Sequence, residues 1–167
     1  KTTTLYSTLK QLATDEVNVC TVEDPIEMVE PSFNQMQVHH SIDLTFAEGV
    51  RALMRQDPDI IMVGEIRDYE TAEVAVQAAL TGHLVLSTLH TNDTVSTLTR
   101  LVNMGLEPFL VTASLNGIVA QRLLRTLCPK CKEPYSVSEL QLQNLGIQHI
   151  AAGAKFFKAK GCPECSN

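Results

Sequence analysis

The sequence predicts an α/β fold with a central, mostly parallel sheet, followed by a small cysteine-stapled subdomain. Short apolar runs at Val17 to Val22, Ile60 to Val63 and His83 to Leu89 alternate with helical patterns, as parallel strand–helix–strand crossovers require. The run Ile60-Ile61-Met62-Val63 has no polar alternation, which suits a strand covered on both faces. After Leu127 the pattern changes to short elements around two Cys-x-x-Cys pairs. The expected division is therefore residues 1–127 and residues 128–167.

Taken in order, residues 2–13 read as a helix with Leu5, Leu9 and Leu12 on one face. Val17 to Val22 is a buried strand that includes Cys20. Pro25 and Pro31 punctuate a loop, and Val38 to Ile42 reads as another strand. Thr45-x-x-Glu48 resembles a capping box that opens a helix to about Gln56, ended by Asp57-Pro58-Asp59. Ile60 to Val63 is the central strand. Tyr69 to Leu80 is helical and closes at Gly82. His83 to Leu89 is a further strand. Thr94 to Met104 is a helix closed by Gly105, and Glu107 to Leu127 reads as mostly helical.

Composition narrows the function. The 167 residues hold 13 Lys+Arg against 19 Asp+Glu, a net charge of −6, which disfavours nucleic-acid binding through a basic surface. Residues 1–75 carry −9 and residues 76–167 carry +3. The acidic half either solvates a surface or gathers carboxylates around a cation. No apolar stretch reaches the roughly 18 residues needed to span a bilayer. The chain opens at Lys1 without an initiator Met, so the expectation is a fragment of a longer protein.

Cys128, Cys131, Cys162 and Cys165 form two Cys-x-x-Cys knuckles separated by 30 residues. Four thiolates so arranged are the pattern of a closed tetrahedral zinc site. Pro129, Pro163 and Gly161 allow the tight turns. The competing redox reading needs only one such pair.

Lys1-Thr2 is uninformative by itself. As the tail of a phosphate loop, GxxxxGK[ST], Lys1 would reach the β/γ-phosphates and the Thr2 hydroxyl would ligate Mg²⁺, with the helix N-terminus facing the anion. The glycine half of such a loop is absent. Three features support a nucleotide. Thr21-Val22-Glu23-Asp24-Pro25-Ile26-Glu27 ends a strand, where ligand sites of open α/β sheets lie, and places Glu23 and Asp24 to orient water or hydrated Mg²⁺. Ile60 to Val63 followed by Gly64-Glu65 resembles a Walker B strand with Glu for the usual Asp. Thr81-Gly82-His83 and Ser87 to Asn92 bracket a strand that would put His90 near a γ-phosphate, with His83 farther off and structural. Arg51 and Arg55, one turn apart, and Arg100 are either solvated or delivered across a subunit boundary to neutralise charge.

KTTTLYSTL, TVEDPIE, RALMRQDPDIIMVGEIRD, TGHLVLSTLHTND and the paired Cys-x-x-Cys motifs, in this order, closely resemble the type II secretion and type IV pilus assembly ATPases of the secretion NTPase superfamily. The resemblance covers essentially the whole chain. It implies a RecA-like P-loop ATPase core plus the zinc subdomain of the secretion and pilus-extension branches. The retraction branch lacks that tetracysteine element. It implies a homohexamer at the cytoplasmic face of the bacterial inner membrane, held there by platform and adaptor proteins and driving assembly of pilin-like fibres. ATP, Mg²⁺ and Zn²⁺ are the implied cofactors.

Lys1, Thr2 and Thr3 would belong to Walker A, Glu23 would be the general base of the Asp box, and Glu65 the Walker B acid on Mg²⁺. His90 would be the His-box catalytic residue. Asp24, Arg51, Arg55, Arg67 and Arg100 would be nucleotide or interface residues. The rival readings are a non-catalytic zinc-stabilised adaptor and a related DNA-uptake or conjugation motor.

Overall fold

The computed structural model describes residues 1–147, 149 and 154–165. Its chain divides into two compact units, Lys1–Gln121 and Arg122–Asn167.

The first unit opens with α1 (Thr2–Leu12), β1 (Val19–Glu23), β2 (Asn34–Gln37), α2 (Phe46–Leu53) and β3 (Ile60–Val63). It continues with α3 (Tyr69–Leu80), β4 (Leu84–Ser87), α4 (Thr94–Asn103) and α5 (Pro108–Ser114). The four strands form one sheet in the order β2-β1-β3-β4, every neighbouring pair parallel. β4 therefore stands at an edge. Alternate residues of β1 and β3 project to opposite faces. Val19, Ile60 and Met62 pack with Tyr6 and Leu9 of α1, and with Phe33. Cys20, Val22, Ile61 and Val63 pack with α2 and α3 through residues such as Val50, Leu53, Ala72 and Ala78. Helices thus cover both faces, and the uninterrupted apolar runs of β1 and β3 follow from that double burial.

Leu9 is the residue that seats α1 on the sheet, with no exposed surface. Leu9→Ala is expected to lower unfolding free energy by about 2–5 kcal/mol, read as a fall in the denaturant midpoint at unchanged slope. An unchanged midpoint would contradict this packing.

Several helices are closed by local signals. Thr45 accepts from the backbone N of Glu48, Asp68 from Thr71, and Asp93 from Ser96 in a reciprocal capping box. Each cap satisfies a backbone donor that has no intrahelical partner.

Three expectations require correction. Val38 to Ile42 is not a strand: the strand is Asn34–Gln37, Val38 is buried just beyond it, and His40–Ile42 is a single 3-10 turn. Pairing with β1, Cys20 opposite Asn34 through Glu23 opposite Gln37, selects a polar edge segment that no apolar periodicity marks. α2 stops at Leu53 rather than near Gln56, and Asp57 adopts a left-handed φ of 50°. The helix after Glu107 ends at Ser114. Asn116-Gly117 and the β-branched Ile118-Val119 are poor helix formers, and residues 115–127 run on irregularly.

The second unit holds the antiparallel pair β5 (Glu133–Tyr135) and β6 (Phe156–Lys158), and α6 (Glu139–Asn144). Lys160 pairs with Glu133 at 2.6 Å, Lys130 pairs with Glu164, and the Lys132 ammonium lies 4.7 Å from the Phe157 ring centroid. No residue described in this unit is buried.

Candidate functional site

The carboxyl ends of β1, β3 and β4 meet the N-terminus of α1. Lys1 Nζ donates to the Leu89 carbonyl at 2.6 Å, which brings the first residue of α1's cap to the end of β4. Gly64 N donates to the Val22 carbonyl at 2.8 Å, Thr88 Oγ1 to the Gly64 carbonyl at 2.8 Å, and Ile66 N to the Thr88 carbonyl at 2.9 Å. These bonds tie the three strand ends together. Gly64 sits at a close approach: a Cβ there would lie 3.2 Å from the Val22 carbonyl, tighter than usual, and 3.5 Å from the Phe46 ring.

Glu23 is the last residue of β1 and only 3 % exposed. It is the single buried acid among the described residues. Its Oε1 accepts from Thr21 Oγ1 at 2.6 Å and from Gln35 Nε2 at 3.1 Å, and its Oε2 accepts from the Tyr6 hydroxyl at 2.7 Å. Charge-assisted bonds of this kind are what make a buried carboxylate tolerable. Burial, and then the hydrogen bond to Glu23, raise the Tyr6 phenol well above its ordinary range, so it remains a donor at any physiological pH.

Glu65, just after β3, is half-buried and holds a different kind of position. Arg67 donates to Oε1, while Oε2 is buried and accepts no hydrogen bond. His90 Nε2 lies 3.4 Å from that Oε2. The Glu65 contact raises the Arg67 guanidinium further, through the hydrogen bond first and then its charge. An orphaned buried carboxylate oxygen is costly unless a cation or water meets it. It is the donor a hard divalent cation takes, so Glu65 fits Mg²⁺.

Asp24 lies 3.5 Å from His40. His90 and Arg100 line one shallow depression of about 390 Å³, with Thr91, Asn92, Ser96 and Thr99. Thr2 is half-buried at the start of α1 and Thr3 is exposed. His83 is elsewhere: its Nδ1 sits 2.9 Å from the Ala78 carbonyl near the end of α3.

The arginines do not all converge. Arg51 is held by Glu48 and, at 2.8 Å, by Glu70; the bond to Glu70 and then that to Glu48 raise its guanidinium. It is paired on the α2–α3 surface. Arg55 lies past the end of α2, exposed, so the helical face expected to join it to Arg51 does not extend that far.

Spacing marks neither Tyr6 nor Gln35 as functional. Tyr6 reads as one more apolar helix position and Gln35 as a loop residue. Thr21 alone carries a signal, since it shares a strand face with Glu23 at i, i+2.

In the second unit, the sulfurs of Cys128, Cys131, Cys162 and Cys165 all lie within 4.8 Å of one another. Cys131 and Cys165, and Cys162 and Cys165, are 3.7 Å apart. Tetrahedral zinc at about 2.3 Å from each sulfur needs sulfurs about 3.8 Å apart, so the four thiols fit that ion. Desolvation, and then the hydrogen bond shared with Cys165, push the Cys131 thiol up to about 11. Gly161, at a left-handed φ of 92°, turns the chain into the second knuckle.

Among the described residues, no helix is long and apolar enough to cross a membrane. The chain is 65% identical over 166 residues to the type IV pilus assembly ATPase TfpB of Acinetobacter baylyi, covering 99% of this chain and 28% of that protein. It is 57% identical to type II secretion system protein E of Pseudomonas aeruginosa, over 99% of this chain and 33% of that protein. The chain therefore spans about a third or less of the curated relatives it matches. Among solved structures it resembles the pilus retraction motor PilT with bound ADP, at 40% identity and TM-score 0.68, over 74% of this chain and 39% of PilT. It also resembles the Legionella pneumophila ATPase DotB, at 40% identity and TM-score 0.58, over 67% of this chain and 33% of DotB. The expected RecA-like α/β core, with its clustered cysteines, is thus the observed fold. The model of the Type II/IV secretion system protein family matches residues 1–167, and the chain belongs to that family.

Proposed function

We propose that this chain is the catalytic part of a motor ATPase that powers assembly of pilin-like fibres, for type II secretion or type IV pilus extension. The observation that carries the reading is the pair of unlike carboxylates at adjacent strand ends. Glu23 is buried and hydrogen-bonded, whereas Glu65 keeps an oxygen that accepts no hydrogen bond and faces His90 at 3.4 Å. The relatives named as secretion and pilus assembly ATPases support it.

In this reading Lys1 binds the β/γ-phosphates at the N-terminus of α1, where backbone donors also face the anion. Glu65 and Thr2 would hold Mg²⁺, which when bound supplies charge neutralisation at the phosphates. Glu23 accepts a proton from the attacking water as its oxygen bonds to the γ-phosphorus and the bond to the leaving ADP breaks. His90 orients the Glu65 carboxylate and senses the γ-phosphate. Asp24 and Arg67 shape the charge around the metal, and Arg100 stands beside His90. Arg51 and Arg55 serve a subunit boundary, Arg51 after leaving its Glu48 and Glu70 partners. The four cysteines would hold one structural Zn²⁺. The working assembly is a homohexamer at the cytoplasmic face of the inner membrane, docked on platform and adaptor proteins.

The test is Mg²⁺-dependent phosphate release from ATP by the full-length protein. Glu65→Gln is expected to lower kcat about 10²–10³-fold while a fluorescent ATP analogue still binds. Wild-type turnover in Glu65→Gln, or no ATP hydrolysis by the full-length protein, would overturn the reading.

A further inference from the structure

The described residues contain one buried acid, Glu23, and its surroundings are more specific than burial alone requires. A carboxylate offers about four acceptor sites. Three are filled here, by Thr21 and Gln35 at Oε1 and by Tyr6 at Oε2. One site on Oε2 is left for a further donor.

Tyr6 is itself held in place. Its hydroxyl receives Gln35 Nε2 at 2.8 Å and lies 2.9 Å from the Met28 carbonyl. A phenol has one proton, and the carboxylate is the stronger acceptor. The ring is fixed by the Phe33 ring, with centroids 5.8 Å apart at 53°. Gln35 Nε2 is also 2.9 Å from the Met28 carbonyl, so its two protons are shared among that carbonyl, the phenol and the carboxylate, and the amide braces the last two together. Tyr6 stands four residues after Thr2, on the same side of α1 one turn further on. The helix whose first turn meets the phosphates therefore also reaches the base.

We propose that Tyr6, braced by Gln35, is a positioning residue for hydrolysis: its hydroxyl fixes the Glu23 carboxylate so that the remaining acceptor site on Oε2 faces the attacking water. This rests on the reading of Glu23 as the general base. In this role Tyr6 contacts neither nucleotide nor water itself. It acts through the carboxylate alone, and it joins the phosphate-binding turn of α1 to the proton acceptor at the end of β1.

The experiment compares steady-state and single-turnover ATP hydrolysis by full-length Tyr6→Phe, Glu23→Gln and the double variant. Phe keeps the ring against Phe33 and removes only the hydroxyl. Tyr6→Phe is expected to lower kcat at least about tenfold, the worth of a hydrogen bond to a charged group, with KM for ATP within about twofold of wild type. In the Glu23→Gln background the same change should have no further effect on the single-turnover rate, because the group it positions is gone. A purely structural tyrosine would lower the rate by the same factor in both backgrounds, and that outcome overturns the inference. Wild-type kcat in Tyr6→Phe with an inactive Glu23→Gln overturns it too, leaving the role of Glu23 intact. Wild-type kcat in Glu23→Gln overturns the base and its positioning residue together. If Tyr6→Phe does not fold, Gln35→Met, which keeps length and removes the donor, is expected to show the same loss of kcat at unchanged KM. Wild-type kcat in Gln35→Met then overturns the proposal.

Discussion

Glu23→Gln in the full-length protein is expected to reduce ATP turnover by about 10²–10⁴-fold, the range that a positioned general base contributes, while nucleotide affinity stays near wild type. The substitution is close to isosteric and keeps a polar group at the end of β1. With the amide nitrogen in the Oε2 position the Tyr6 hydroxyl can turn to accept from it, while Thr21 and Gln35 still donate to the retained oxygen, so only one contact reverses its sense. Gln35, a donor at 3.1 Å, loses its charged acceptor. The cost in stability is therefore expected to be about 1–3 kcal/mol, well short of unfolding a domain with an α1–sheet core on one face and an α2–α3 core on the other. The measurement is phosphate release under saturating ATP and Mg²⁺, with thermal unfolding and binding of a fluorescent ATP analogue run in parallel. Turnover within a few-fold of wild type would remove Glu23 from the chemistry. Lost binding would instead assign it to nucleotide capture.

Chelating the metal that the four cysteines would hold is expected to unfold the second unit. None of its described residues is buried, and β5 and β6 are three residues each, so hydrophobic burial supplies little of its stability. A cation bound by four thiolates supplies on the order of 10 kcal/mol at neutral pH in small zinc modules. The 3.7 Å sulfur separations fit such an ion. Purified, unchelated protein should hold one zinc per chain. Stripping the metal with a strong chelator, or Cys128→Ser, should abolish amide-exchange protection in Glu133–Tyr135 and Phe156–Lys158. Protection in β1 and β3 should persist. Less than about a tenth of an equivalent of zinc in protected, unchelated protein would instead point to four free thiols.

The sequence made the covered parts of the fold readable and left the uncovered parts obscure. β3, α3 and α4 could be placed because double burial or a single buried face imposes a period on the chain. β2 could not: its residues are Asn34, Gln35, Met36 and Gln37, and only the ladder to β1 makes them a strand. The irregular course from Leu115 to Leu127 was hidden because Val119, Leu123 and Leu124 have an apolar look but are almost fully exposed, at 88%, 94% and 87%. At the site, Glu23 and Glu65 were legible because acids that follow apolar strands are conspicuous. Tyr6 and Gln35 were not, since 17 and 12 residues separate them from Glu23 and only the folded sheet brings them to it. Arg51 is conspicuous in the sequence, and its partners in this fold are Glu48 and Glu70 on the helix surface.

The edge position of β4 bears on the colloidal behaviour of the chain. Among the described residues, Leu84-Val85-Leu86-Ser87 has a strand partner on one side only, and it contains no proline and no charged residue. A backbone edge without such gatekeepers is a template for strands of other molecules. Turbidity that rises with concentration, and is relieved by Leu84→Lys at that 39%-exposed position, would trace precipitation to this strand rather than to general stickiness.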